Sequence, residues 1–157
     1  MQKMTKLQDF IFTIIMAFVM VYAMICYNIA LNKGGLSNEV FLLAFRELMI
    51  MWPVAIILEF FVVGGLARMI AFKIVKPGED KPFVITLAIS AVIVCIMCPI
   101  MSFIATLLFK DAGSQIFAVW LQTFAFNFPM AFIWQIFYAG PFVRFITKPI
   151  LPIFAKQ

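Results

Sequence analysis

PVAIILEFFVVGGLAR, from Pro53 to Arg68, is apolar enough to lie inside a lipid bilayer, yet it carries Glu59 near its middle. A second copy stands 76 residues further on as PMAFIWQIFYAGPFVR, from Pro129 to Arg144. Pro53 matches Pro129, Ala55 matches Ala131, Ile57 matches Ile133 and Phe61 matches Phe137. Gly64 matches Gly140 and Arg68 matches Arg144, while Gln135 takes the place of Glu59.

Composition sets the solvent. The chain has 157 residues, 66% hydrophobic and 12% charged, with no histidine. A soluble domain is about 45–50% apolar and about 25% charged. A core of this length cannot hide so much apolar surface, so lipid must solvate most of it. The net charge of +5 comes from basic residues at the ends of apolar runs. They form no stripe or motif, so no nucleic-acid partner is expected. Three cysteines, none in an obvious extracellular loop, argue against a disulfide framework.

Four apolar runs follow in order. Phe10 to Leu31 carries no charge and is long enough for a spanning helix of about 20 residues. It exceeds a signal-peptide core and lacks a small-residue cleavage site, so it is read as a retained first helix. Asn32 to Ser37 is a glycine turn, with Ser37 as N-cap of a second helix over Glu39 to Phe72. Arg46 and Glu47 are placed at its outer membrane edge, and Pro53 removes one backbone donor inside it. Lys76 to Pro82 is a charged Pro-Gly loop, with Asp80 positioned to cap a third helix over Phe83 to Phe109. Lys110 to Ser114 is a second turn, and the fourth helix runs over Gln115 to Thr147.

The expected fold is therefore all-α: one integral membrane domain over 1–157, with four transmembrane helices built from two parallel helix-turn-helix repeats. Repeat one covers about 7–75 and repeat two about 83–150. Each unit crosses twice, so the pseudo-two-fold axis runs along the membrane normal. Nine basic residues (Lys3, Lys6, Arg68, Lys73, Lys76, Lys81, Arg144, Lys148, Lys156) fall on the side of the termini. Lys33, Arg46 and Lys110 fall on the other. The positive-inside rule then puts both termini in the cytoplasm, with Arg68 and Arg144 at the cytoplasmic edge.

The second half of each repeat resembles the domain of unknown function 2798 family. Trp120-Leu121, Phe128-Pro129, Gly140-Pro141 and Arg144 carry the likeness in the second copy, and Arg46, Trp52-Pro53, Gly64 and Arg68 in the first. The resemblance implies a small bacterial membrane protein with a duplicated two-helix unit, in the cytoplasmic (inner) membrane. It implies no activity.

Glu59 is the leading candidate for chemistry. An ionised carboxylate at mid-membrane costs at least about 2.5–3.5 kcal/mol, and desolvation favours the neutral acid. Packing of the second helix on the fourth would set Glu59 against Gln135, with Ala55 and Ala131 permitting close approach and Asn127 two turns away. Two roles fit. Glu59 is either a neutral acid that hydrogen-bonds Gln135 and holds two helices together, or a proton or cation site with Gln135 and Asn127 as neutral ligands.

Pro53, Gly64, Gly65, Pro129, Gly140 and Pro141 are read as packing points or hinges, with close packing favoured. Cys95 and Cys98 form a C-x-x-C inside a helix, where thiols act as small packing residues. Met16, Met20 and Met24 repeat every four residues, and Cys98 and Met101 are one turn apart. Such sulfurs suit Cu(I), but methionine is also a common apolar filler, so no metal and no cofactor is expected. Trp120, Tyr27 and Tyr138 are candidates for interfacial belts. No histidine, phosphate loop, G-x-S-x-G or acid pair is present, so the chain is not expected to be an enzyme. The expectation is a small proton- or cation-coupled transporter or channel-like subunit, assembled as a homo-oligomer in the lipid bilayer. The alternative is a membrane scaffold or partner-binding protein.

Overall fold

The computed structural model describes residues 5–111 and 113–156. Lys3, counted above among the basic residues, lies outside the described residues.

Four apolar helical spans are present among the described residues, at Lys6–Lys33, Asn38–Ile74, Pro82–Phe109 and Gly113–Thr147. The first is α1, Lys6–Lys33. It begins four residues before the expected start because Thr5 and Gln8 form a capping box, each side chain bonding the other's backbone N–H. Gly34, at φ 82°, ends it in the left-handed conformation that favours glycine. The second span is α2 (Asn38–Leu58), a π-helical segment (Glu59–Val63) and α3 (Gly64–Ile74). The third is α4, Pro82–Phe109. The fourth is a short 3₁₀ turn (Gly113–Gln115), α5 (Ile116–Ile133), a second π-helical segment (Trp134–Ala139) and α6 (Gly140–Thr147). A 3₁₀ segment, Leu151–Lys156, follows.

Two capping expectations change. Ser37 occupies the N-cap of α2, but its side chain makes no cap hydrogen bond. Asp80 does not cap α4. Its Oδ2 accepts from the Lys76 amide at 2.7 Å and closes the charged loop, leaving Lys81 at the N-cap and Pro82 in the first turn.

The packing pattern has a period of four. Thr13, Ala17, Val21, Ile25 and Ile29 are buried in α1, and Ser90, Val94, Cys98, Ser102 and Thr106 in α4. The fourth span buries Thr123, Asn127, Ala131, Gln135, Ala139, Val143 and Thr147, one every four residues without a gap. Many of these are small or carry a hydroxyl, which lets helix backbones approach closely in lipid. The outward faces carry large apolar side chains such as Phe61 and Phe145, as a lipid-facing surface requires.

The main contacts join α1 to α2, α3 to α4, α4 to α5, and α1 to α6. The spans thus form a ring in chain order, with the second and fourth on a diagonal. This corrects the expected direct packing of those two spans, which would have set Glu59 against Gln135.

The two π-helical segments fall at equivalent places in the repeats. The Gly64 amide bonds the Glu59 carbonyl and the Gly140 amide bonds the Gln135 carbonyl, each five residues back. A Cβ at Gly64 or Gly140 would lie 2.7 Å from that same carbonyl oxygen, whereas one at Gly65 would meet nothing within 4 Å. The matched glycines are therefore required by the π-turn. Gly65, expected to act with Gly64 as a packing point, makes no such close approach.

This yields an ordered series. Gly64→Ala and Gly140→Ala should each lower stability by about 1–3 kcal/mol, the scale of a forced overpacking. Gly65→Ala should be neutral or raise stability by up to about 1 kcal/mol, because alanine is the better helix former. Thermal unfolding of the three variants in one detergent checks the order.

Candidate functional site

Between the four spans lies a cavity of about 140 Å³. Glu59 reaches it at the start of the first π-segment, Gln135 from the second, and Asn127 from α5 two turns before Gln135. The three sequence candidates are thus brought to one space. No hydrogen bond joins Glu59 to Gln135 among the described residues, so the expected direct pairing is not formed. The diagonal placement of their helices is the reason. Glu59 is half-buried because its side chain faces the cavity.

Asn127 is 5% exposed and donates from Nδ2 to Ser102 Oγ at 3.3 Å. Its Oδ1 has no partner. The other buried orphan among the described residues is Trp134 Nε1. Such unpaired buried groups are uncommon because each carries a desolvation cost of about 1–3 kcal/mol. The buried hydroxyls avoid that cost within their own helices. Thr106 donates to Ser102 O at 2.7 Å, Thr123 to Val119 O at 2.7 Å and Thr147 to Val143 O at 2.8 Å. Asparagine has no equivalent local solution for both ends of its amide, so Oδ1 remains unpaired in the packed interior.

Towards the 34–37 and 110–115 turns, the cavity is polar. Asn28, Asn32, Glu47 and Lys110 line it there. Lys110 Nζ donates to Thr123 Oγ1 at 2.6 Å. Burial lowers the pKa of this ammonium, and the Glu47 carboxylate opposes the shift. Glu47 therefore belongs to the cavity mouth, whereas its neighbour Arg46 is exposed. Glu59 lies twelve residues deeper along the same span, about 18 Å at 1.5 Å per residue.

At the opposite end the repeats differ. Arg68 holds Asp9 with one nitrogen, at 2.8 and 2.9 Å from the two carboxylate oxygens, and so ties α3 to the start of α1. Arg144 has no carboxylate partner among the described residues. It lines a small space of about 30 Å³ with Gln135 and Ser90. Gln135 thus touches both spaces.

Other sequence candidates sort cleanly. Cys98 lines the cavity while Cys95 faces outward, so the C-x-x-C does not act as a pair. Trp120 Nε1 donates to Pro99 O at 2.9 Å. Tyr27 bonds Phe126 O at 3.3 Å, and Tyr138 is exposed and stacks on Trp134. Pro53 and Pro129 interrupt the ladders of α2 and α5 just before the π-segments, and Pro141 follows the second one. Ser102, Met51 and Met97 were not singled out in the sequence. Their membership of the period-four stripe, or a place beside it, is the signal that would have found them.

Ser102→Ala should lower stability by about 1–3 kcal/mol, because it leaves the Asn127 amide without its bond. Asn127→Leu should be neutral or stabilising, because it removes the buried amide altogether. Unfolding temperatures of the two variants should therefore move apart.

Comparison with known proteins agrees with the repeat. The family described as Domain of unknown function (DUF2798) matches twice, at residues 5–75 and 81–151. The chain is similar to "Uncharacterized protein YybC" of Bacillus subtilis (strain 168), at 31% identity over 143 residues and 88% of each chain. No solved structure matches. With both halves matched and the duplication in register with the fold, the chain belongs to the DUF2798 family of uncharacterised proteins.

Proposed function

We propose that this four-helix protein is a proton- or cation-coupled transporter or channel-like subunit, with Glu59 as the exchanging group. One observation carries the reading: Glu59, Gln135 and Asn127 all line one intramembrane cavity. A neutral acid serving only to hold helices together would be expected to bond its neighbour, and here it faces open space. Ionisable groups inside membranes commonly mark transport paths.

In this mechanism Glu59 gives up its proton as a cation arrives, so the buried site keeps its net charge. Gln135 supplies a neutral oxygen ligand. The two repeats rock about the π-turns at Gly64 and Gly140, where the helical ladder is already loosened. Both termini face the cytoplasm, and the 34–37 and 110–115 turns face outward. The membrane is the cytoplasmic membrane of a bacterium. Protomers assemble as homo-oligomers, because four helices alone enclose little space. No step requires a catalytic set, and the reading is of a non-enzyme.

Difference infrared spectroscopy tests this directly. The purified protein should show a carboxyl band that titrates reversibly, shifts with an added cation and disappears in Glu59→Gln. If no such band titrates and Glu59→Gln is as stable as the parent, Glu59 is helix glue and the protein is a scaffold. Orientation has its own check. An impermeant thiol reagent applied to intact cells should label Ser37→Cys but not Glu79→Cys.

A further inference from the structure

The cavity walls say more about the ligand than its charge. Met16, Met20, Met24, Met51, Met97 and Met101 all line it. Six of the chain's 11 methionines thus gather in a lining of 25 residues out of 157. The expectation that methionine stripes are chance filler does not account for this concentration. They come from three helices, α1, α2 and α4, and converge on one space.

Two ligand classes favour methionine. Soft metal ions bind its sulfur. Apolar molecules of varied shape pack against its flexible, polarizable chain. Size separates them. A dry engineered cavity of about 150 Å³ accepts benzene. The cavity here, at about 140 Å³, suits a body of similar size. A bare metal ion would leave most of it unfilled.

The polar groups narrow the class further. Glu59 supplies one negative charge and so matches one positive charge. Asn127 lines the same space, but its unpaired Oδ1 is closed off from it, so Glu59 is the group that fixes the charge of the ligand. We propose that the cavity binds an organic cation of the protonated-amine class with an apolar body about the size of a six-membered ring. The positive charge lies against Glu59 and the body lies among the methionines. This rests on the reading of the cavity as a cation site and names its substrate class.

The test is calorimetric titration of the full-length protein in nanodiscs, with protein-free nanodiscs subtracted. The probes are cyclohexylamine, cyclohexanol, N,N,N-trimethylcyclohexylammonium, potassium and silver(I). Cyclohexylamine should bind. Its affinity should fall at least about tenfold in Glu59→Gln, the scale of losing a charged partner in an apolar site. N,N,N-trimethylcyclohexylammonium should bind comparably to cyclohexylamine, because Glu59 recognises the charge and not an N–H. Cyclohexanol should bind far more weakly.

Stoichiometric silver(I) binding that Met97→Leu abolishes, with no heat from the amine, would overturn the proposal in favour of a soft metal. Amine binding unchanged in Glu59→Gln would overturn it as lipid-like partitioning. If Glu59 titrates with potassium while no amine binds, the exchange reading stands and only the amine assignment falls. Glutamine at Glu59 and leucine at Met97 conserve volume, so loss of fold is not the expected cause of a change.

Discussion

The Gly64-to-Glu59 backbone bond and its copy from Gly140 to Gln135 are the constraint on which the rest of the bundle depends. In hydrocarbon every backbone donor and acceptor must be satisfied within the protein. A straight α-helix meets that demand but turns about 100° per residue, so a stripe of every fourth residue drifts around it by about 40° per step. The fourth span keeps such a stripe inward from Thr123 to Thr147. The second does so through Ala55, Val63, Ala67 and Ala71, with Glu59 at the cavity. A π-turn takes in an extra residue while its backbone stays bonded, and so cancels part of the drift. The glycine that ends each segment leaves room for the carbonyl that closes it.

The repeats share this backbone device but not their charges. The first carries Glu59 beside the cavity and an Asp9–Arg68 pair at the same membrane end. The second carries Gln135, and its Arg144 lies without a carboxylate partner among the described residues. Two carboxyl groups across one small apolar space would each disfavour ionisation of the other. The Gln135 exchange leaves a single ionisable group in the deep part of the cavity. Duplication thus supplies the symmetric frame, and in the proposed reading divergence at one position supplies a site that holds one charge at a time.

Much of this was legible in the sequence. The four apolar runs and the turns between them placed all four spans, the duplication paired them, and Glu59, Gln135 and Asn127 were named from their polarity in apolar runs. What was not legible depends on the arrangement of helices around the axis. Hydropathy locates spans but does not order them, so the second and fourth were expected to touch when they stand on a diagonal. Glycine reads as a packing or hinge residue in sequence, and only the backbone path separates Gly64, which closes a π-turn, from Gly65, which closes nothing. Asp80 looked like a helix cap because its position before Pro82 fits one, but the Lys76 amide in the loop competes successfully for it.

The cavity itself is not explained as a packing defect. A void left by poor packing would be lined by whatever residues lay nearby, and any polar group there would find a partner in its own helix. The threonines of this bundle do just that. Asn127 instead keeps an amide that Ser102 satisfies at one end only, although an apolar residue of similar volume would avoid the cost. Methionines, which reshape themselves to fill irregular gaps, surround the space without closing it. The proposed site for an apolar cation needs a carboxyl and adaptable apolar walls at one place, and both are costly or unnecessary in a bundle that only has to stay folded.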